Sequence, residues 1–412
     1  MRMDRTRLEF PSAVLAAVAA AEAGALLLRP REDPIAPAPV RESDHFSAEE
    51  IARAKAFRGP QRALALAGMA LDTAALAALV ARPPRMLRKR YRRPVAAAAA
   101  TGAALATGLT VAGLPLSAVS RRRALRVGLA TQSWPAWGAD VAKATAIGAA
   151  FSAGGAAAGV TLMRRLPRTW WAPGAGVAFG FGVLTTWLGP VVLDPIFNRF
   201  TPLPDGEARR DVLELAERAG VEVGEVYEVD ASRRTTAANA YVNGIGATKR
   251  VVLFDTLLGD FSRDEVRLVV AHELGHVRHR DVPRFLAFLA LEAPAAMLAI
   301  AHATRRLLPG DEPAGPRAVP AVALAAMLVG APLSAIFNQL SRRIEARTDE
   351  FALRLTDAPE PFIAFERGIT LKNIAEPAPP RWARMLFGSH PTTLERIGAA
   401  VAFRDAARPA AR

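Results

Sequence analysis

The chain has 412 residues, a formal net charge of +14 and no cysteine. Without cysteine there is no disulfide framework, thiolate metal site or cysteine nucleophile, so any metal must be held by histidine, aspartate or glutamate. Most of the basic charge is arginine that flanks apolar segments, as in RMLRKRYRRP (85–94). This pattern favours anchoring at a membrane surface, and without interleaved aromatic residues it argues against nucleic acid as a partner.

Seven apolar stretches have about the ~20 residues that a helix needs to cross a bilayer. They lie at residues 12–28, 62–81, 94–118, 144–163, 171–193, 284–303 and 318–340. The first stretch follows three arginines and also has the form of a signal peptide, but Glu22 interrupts it and a clear cleavage signal is lacking. We therefore expect a retained anchor.

Polar segments flank the last two spans. The first has the pattern of a helix, three strands and a second helix, at 207–220, 222–230, 239–243, 250–255 and 263–281. Alternating valines and the turn NGIGATK (243–249) predict a small antiparallel sheet. The chain therefore divides into four parts. Residues 1–193 form a membrane region of five spans and residues 194–283 the first part of a catalytic domain. Residues 284–340 form a membrane hairpin of two spans, and residues 341–412 complete the catalytic domain.

Residues 272–276 read HELGH on a predicted helix that Ser262 and Glu265 start as a capping box. His272 and His276 are four residues apart, so both imidazoles can reach one metal ion, and Glu273 is suited to act on a water there. Chance predicts roughly 0.008 such motifs at this composition. A solvated helix with incidental histidines is therefore the weaker interpretation.

A catalytic zinc site needs a third protein ligand and an open position. Metalloproteases with a longer motif place a third histidine six residues after the second, where this chain has Val282. His279 comes too early and is expected beside the site or exposed. In SRRIEARTDEFAL (341–353), Glu345 and Asp349 share one helix face, so one carboxylate could bind the metal and the other could accept the free N–H of a ligand histidine.

At these residues the chain resembles a known family. AHELGHVRHRD (271–281) with SRRIEARTDEFA (341–352) resembles the integral-membrane gluzincin metallopeptidases of the type I CAAX prenyl protease group. The likeness extends over residues 45–400, and its other segments are HFSAEEIARAKAFRGPQRALAL (45–66), DPIFNRFTPLPDGEAR (194–209), AANAYVNGIGATKRVVLFDTLL (237–258) and GSHPTTLERI (388–397). The shorter heat-shock-induced quality-control membrane peptidases share the zinc motifs and are less similar.

The resemblance implies a zincin-like metal centre. By it, His272, His276 and Glu345 bind one Zn²⁺ per chain, Glu273 is the catalytic carboxylate, and Asp349 supports the ligands from behind.

The resemblance also implies how substrate is held. Asn239 and Ala240 match an edge strand that pairs with the substrate backbone, and Arg396 matches an arginine near the site that we assign to substrate binding. His390 is expected to steady the oxyanion. Pro391 is suited to open a helix, which would place His390 at the helix start, facing the cleft.

The implied fold is mainly α. It is a polytopic membrane protein with about seven helices around a water-filled chamber, plus an α+β zincin-like catalytic domain that a membrane hairpin splits. Glu22, Glu292 and Asn338 lie within spans, and they could line the chamber or pair near span ends.

The predicted function is zinc-dependent endopeptidase activity: zinc acidifies its bound water, Glu273 takes the proton, and the water attacks the scissile carbonyl. Eukaryotic members of the family cut after prenylated cysteine. The alanine- and arginine-rich composition indicates a GC-rich bacterium, which need not make prenylated substrates of its own. The expected substrates are therefore membrane-associated or misfolded membrane proteins, and lipidated or membrane-embedded chains are included among them.

The basic loops give conflicting signals about the orientation of the protein in the membrane. Residues 82–93 carry seven Arg or Lys, which by the positive-inside rule would place the zinc site outside. The basic loops 29–62 and 120–143 favour the opposite orientation. The family arrangement decides for a bacterial cell membrane with the zinc site on the cytoplasmic side.

Two other functions are weaker. An intramembrane protease carries its motif inside an apolar span, whereas charged residues such as Arg267 and Arg278 flank this one. A non-proteolytic membrane scaffold or transporter with a structural zinc would need a fourth ligand and would have no use for Glu273.

Overall fold

The computed structural model describes residues 5–243, 250–308 and 314–407. The helices are α1 (Arg5–Leu28), α2 (Glu42–His45), α3 (Ala48–Ala81), α4 (Arg85–Arg88), α5 (Pro94–Arg126), α6 (Trp134–Arg165), α7 (Trp171–Leu188), α8 (Asp194–Phe197), α9 (Glu207–Arg218), α10 (Asp255–Asp260), α11 (Arg263–Arg278), α12 (Asp281–Leu307), α13 (Ala318–Thr356), α14 (Pro359–Lys372), α15 (Arg381–Phe387) and α16 (Thr393–Ala407). The strands are β1 (Phe200–Pro202), β2 (Val226–Val229), β3 (Ala240–Asn243) and β4 (Arg250–Phe254). A π-helical turn at Gly189–Leu193 joins α7 to α8.

Within the described residues, seven helical segments are long and apolar enough to cross a membrane: α1, α3, α5, α6, the segment from α7 to α8, α12 and α13. The predicted number of spans and the mainly helical fold are confirmed. Only 6% of the apolar window of α3 is buried within the protein. Apolar surface of this extent on long helices is typical of an integral membrane protein.

Two of these helices extend well beyond the predicted spans. α3 begins 14 residues before the predicted span, and its first turn has a capping box at Ser47 and Glu50. α13 joins the seventh span and the carboxylate-bearing segment in one helix of 39 residues. The segment that carries Glu345 and Asp349 is therefore continuous with the seventh span.

Cavities lie between the membrane helices. One of about 800 Å³ is lined by α3, α5 and α6 and is open on one side, and Glu292 lines another of about 550 Å³ between α7, α12 and α13. Asn338 instead donates its side-chain amide to the carbonyl of Leu386, with an N–O distance of 3.0 Å. The two polar residues therefore differ: Glu292 lines a cavity and Asn338 pairs with α15.

The small sheet has the strand order β1-β2-β4-β3. β1 with β2 and β3 with β4 are antiparallel, but β2 and β4 are parallel. The prediction of an antiparallel sheet is wrong because β2 pairs in parallel with β4 and not with β3, the next strand in the sequence. β3 lies at the edge of the sheet, and the turn NGIGATK (243–249) lies beyond the described backbone except for Asn243.

The sheet packs on α9 and α11. Val212 and Leu215 of α9, Leu253 of β4, and Val270 and Leu274 of α11 are almost wholly buried in one core. These apolar residues of α11 recur at helical spacing, so its opposite face is free to carry polar chemistry. This core fixes α11 against β3.

Candidate metal centre

Three side chains from two helices converge on one point. Nε2 of His272 lies 3.2 Å from Oε2 of Glu345, and Nε2 of His276 lies 3.7 Å from Oε1. Within the described parts of the chain, this His-His-Glu group has its ligand atoms within 4.8 Å of one another. Two histidines on α11 and a carboxylate on α13 therefore form a group that could hold a metal ion.

A small residue lets the two helices approach closely enough. A Cβ at Gly275 would lie 2.8 Å from Cγ2 of Thr348 and 3.0 Å from Cδ1 of Phe351. Real Cβ atoms do not tolerate the shorter distance, so only glycine fits this contact between α11 and α13. His279 takes no part in the centre, because its ring bonds to the carbonyl of Gly275 and contacts Phe351.

Each histidine of the centre is held from behind by a carboxylate. Nδ1 of His272 lies 2.9 Å from Oδ1 of Asp349, and Nδ1 of His276 lies 3.0 Å from Oδ2 of Asp281. A proton on each Nδ1 satisfies these contacts and leaves the Nε2 lone pairs facing Glu345. The carboxylates therefore set both ring orientation and tautomer.

Asp281 was missed in the sequence, where it is one of several charges around the motif. α11 ends at Arg278, and Arg280 adopts a left-handed conformation with φ of 56° just before α12 starts at Asp281. This break turns the Asp281 carboxylate back toward His276. An acid at the first position of a new apolar helix, five residues after a ligand histidine, was the available signal.

Arg396 joins the site through buried carboxylates. It donates to both oxygens of Asp349, at 2.8 and 2.5 Å, and its Nη1 lies 2.6 Å from Oε1 of Glu366. Asp349 and Glu366 are each 2% exposed. Nε, Nη1 and Nη2 all face carboxylates, so the guanidinium holds Asp349 in place, and the role of Arg396 in substrate binding stays a prediction.

The carboxylate of Glu273 is aimed at the edge strand. Its Oε2 accepts a hydrogen bond from the amide of Val242 in β3, at 3.0 Å, and burial raises the pKa of Glu273. The carbonyl of Asn239 accepts from the amide of Phe254 in β4, so by alternation the main-chain groups of Ala240 and Val242 point away from the sheet. A strand added there would run beside the metal centre.

His390 borders the same cleft. Its Nε2 lies 3.4 Å from Oε2 of Glu345, its Nδ1 lies 2.8 Å from Oγ of Ser389, and 57% of its side chain is exposed. The helix after it starts at Thr393, behind a reciprocal cap between Thr392 and Glu395. The prediction that Pro391 opens that helix is therefore wrong by two residues.

The structure brings six of the nine predicted site residues around one cleft of about 90 Å³. Its lining includes Asn239, Ala240, His272, Glu273, His390 and Arg396. Oε2 of Glu345 is buried and has no hydrogen-bond partner within the described residues. Two imidazole nitrogens and an unsatisfied carboxylate oxygen are a donor set that suits a divalent metal ion.

Several known proteins are similar to this chain in sequence. Residues 202–403 match the model of peptidase family M48. YhfN, an uncharacterised metalloprotease of Bacillus subtilis (strain 168), is 28% identical over 295 residues, which cover 70% of this chain and 69% of that protein. A CAAX prenyl protease 1 homolog of Oryza sativa subsp. japonica is 30% identical over 233 residues, and the match covers 54% of this chain and 54% of that protein.

The architecture also has a counterpart among solved structures. The crystal structure of S. mikatae Ste24p matches with a TM-score of 0.76 and 19% sequence identity, covering 97% of this chain and 100% of that chain. This agreement shows the fold over nearly the whole length, including the membrane region. Together with the sequence matches, it supports a membrane metallopeptidase that resembles the type I CAAX prenyl proteases, with residues 202–403 matching peptidase family M48.

Proposed function

We propose that this metallopeptidase is a zinc-dependent endopeptidase with His272, His276 and Glu345 as its metal ligands. The observation that carries the proposal is the convergence of these three side chains beside Glu273 and an open strand edge. Two imidazole nitrogens and one carboxylate oxygen suit catalytic zinc, which keeps a fourth position open for water or substrate.

Glu273 acts as general base and then as general acid. Zn²⁺, when bound, supplies a Lewis acid that lowers the pKa of a water and polarises the scissile carbonyl. Glu273 takes the proton from that water and later gives it to the leaving amine. The amide of Val242 holds the carboxylate in place at 3.0 Å, so little reorientation is needed between the two transfers.

The remaining side chains bind substrate and stabilise charge. The outward main-chain groups of Ala240 pair with an extended substrate, and the Asn239 side chain borders the bound chain. The imidazole of His390, across the cleft, donates to the oxyanion as the tetrahedral intermediate forms. Asp349, held by Arg396, keeps His272 oriented throughout.

The proposed substrates are peptides or proteins at the membrane, including lipidated chains and misfolded membrane proteins. The support is the position of Glu345 on a helix that continues from a membrane span, together with the likeness to CAAX prenyl proteases. We place the protein in a bacterial cell membrane with its zinc site on the cytoplasmic side, in line with the family arrangement and the bacterial relative YhfN.

The proposal is tested by incubating purified protein in detergent with a farnesylated CAAX peptide and its unmodified twin, and detecting products by mass spectrometry. Zinc content is measured in the same samples. Glu273→Gln should retain zinc and lose turnover by several orders of magnitude, whereas Glu222→Gln, at an exposed site in the same domain, should cut normally. Preference for the farnesylated peptide would establish prenyl specificity.

Equal cleavage of both peptides would support the peptidase and direct the substrate search to other membrane proteins. Bound zinc with no cleavage of either peptide would favour the non-proteolytic scaffold or transporter. Substantial activity in Glu273→Gln would remove Glu273 from the mechanism.

A further inference from the structure

The side-chain amide of Asn373 forms two hydrogen bonds to the segment that leads into β3. Oδ1 of Asn373 accepts the amide of Ala238 at 3.1 Å, and Nδ2 of Asn373 donates to the carbonyl of Ala238 at 3.3 Å. The side chain thus pairs with Ala238 as a neighbouring strand would. Ala238 is 1% exposed and directly precedes Asn239 and Ala240, so its position fixes where the open strand edge begins.

Asn373 is presented by a strained turn at the end of α14. Ile374 has a φ of 48°, a left-handed conformation that is unfavourable for a β-branched residue. The amide of Ala375 bonds back to the carbonyl of Thr370 at 2.8 Å, and the amide of Ile374 to that of Leu371 at 3.1 Å. Glycine usually occupies the left-handed position of such a turn, so the surroundings must hold Ile374 there.

The side chains that hold this turn belong to the membrane helix α3. Arg58 of α3 donates to the carbonyl of Ile374 at 2.8 Å and to that of Asn373 at 2.5 Å. One turn further along α3, Arg62 makes two hydrogen bonds to Glu376, at 2.9 and 3.0 Å. The Glu376 side chain is 3% exposed, so this pair is largely desolvated and expensive to separate.

We propose that Asn373 is a positioning residue for the substrate-binding edge strand, and that Arg58 and Arg62 of α3 set its position. The inference rests on the proposed function, because it assumes that substrate pairs with β3. The contacts run from α3 through the turn at Ile374 to Ala238, so the membrane region takes part in placing the peptide beside the metal. It is more than an anchor for the catalytic domain.

The first test needs no activity. Hydrogen–deuterium exchange of residues 237–243 is followed in the full-length protein in detergent, for wild type, Asn373→Ala and Arg62→Gln. The matched control is Arg367→Gln, which breaks the 2.8 Å bond between Arg367 of α14 and Glu50 of α3. That ion pair links the same two helices without touching the turn.

The expected result is faster exchange in residues 237–243 for Asn373→Ala and Arg62→Gln, with wild-type rates in the control and in α9 of all variants. Exchange at wild-type rates in both test variants would overturn the inference, whether or not the protein cuts peptides. Faster exchange throughout the domain in Asn373→Ala would reflect misfolding, and Arg62→Gln would then decide the outcome.

The second test separates positioning from general structure. Kinetics are measured with a cleaved peptide and a series of copies that each carry one N-methylated amide. Asn373→Ala should raise KM roughly tenfold, as expected for lost backbone hydrogen bonds, with kcat little changed. The penalty for methylating the amide that pairs with β3 should shrink in the variant, and Asn373→Asp, which keeps the acceptor, should be intermediate in KM.

An undiminished N-methyl penalty in Asn373→Ala, or a fall in kcat at constant KM, would count against a role in strand positioning. If the wild-type protein cuts no peptide, the proposed function fails, and the exchange measurement alone decides whether Asn373 positions β3.

Discussion

Oδ2 of Asp281 lies 3.0 Å from Nδ1 of His276, although the two residues belong to different helices. Asp281 is 1% exposed, and its other oxygen accepts from Arg284 and Arg347 at 2.6 Å each. The membrane hairpin thus contributes to the metal centre through the first residue of α12. The interruption between α11 and α12 at Arg280 makes this contact possible.

Asp281→Asn should weaken zinc binding by roughly 10- to 100-fold, because it removes the charge that orients His276 and increases its basicity. Zinc affinity is measured by competition with a chromophoric chelator. Asp264→Asn, at an exposed position of α11, is the control and should bind zinc as the wild type does. Equal affinities for Asp281→Asn and wild type would show that His276 needs no carboxylate partner.

Gly275→Ala should separate α11 from α13, because the added methyl group meets Thr348 at 2.8 Å. We expect a loss of about 1–3 kcal/mol in stability, typical of overpacking, together with weaker zinc binding. Thermal unfolding and metal content report the two effects. Gly259→Ala is the matched control, since a Cβ there meets nothing within 4 Å. If Gly275→Ala unfolded at the same temperature and bound as much metal as Gly259→Ala, the close approach of α11 to α13 at Gly275 would be contradicted.

His390→Ala should lower kcat by roughly 10²–10³-fold while zinc content stays at the wild-type level, because one oxyanion donor is lost. Steady-state kinetics on a cleaved peptide measure the change. His45→Ala, outside the cleft, serves as control. If only KM rose in His390→Ala, the imidazole would bind substrate in its ground state and would not stabilise the transition state.

The pH dependence of stability should reveal Asp211 of α9. The Arg263 guanidinium, bonded to Asp211 at 2.7 Å, and that of Arg267 hold the pKa of this buried carboxyl below its ordinary 3.8. Since folding lowers this pKa, the stabilisation is fully present above the unfolded-state value and is lost as pH falls through the folded-state value. Asp211→Asn should therefore unfold several degrees below wild type near neutral pH.

The gap between the two melting temperatures should close in acid, once the pH falls below the lowered pKa of Asp211 and the wild-type carboxyl is also protonated. The measurement is thermal unfolding of both proteins in detergent over a pH series. A gap that stayed constant into acid would show that Asp211 contributes through packing rather than charge.

The membrane spans and the HELGH helix could be predicted because each depends on local pattern. A run of apolar residues long enough to cross a bilayer, or a capping box before a periodic helix, is written in consecutive residues. His272 and His276 fall on one face for the same reason. Which of Glu345 and Asp349 meets them could be assigned only from the resemblance, since local pattern does not fix a contact with a carboxylate 69 positions after His276.

Features that depend on tertiary pairing could not be read this way. The parallel pairing of β2 with β4 skips the intervening strand, and no local pattern specifies such a partner. The role of Arg396 depends on Asp349 and Glu366, which reach it from two other helices. Asn373 lies in a loop without a recognisable motif, and only the folded chain places it against Ala238.

α13 is one helix from Ala318 to Thr356, with no loop between its apolar half and Glu345. Glu345 lies five residues beyond the apolar stretch, which is about 7–8 Å along the axis. The height of the reaction above the hydrocarbon is therefore a fixed length. On the proposed function, this fixed length predicts that peptide bonds of an embedded substrate are selected by their depth as well as by their side chains, and that a thicker or thinner bilayer changes which bond is cut.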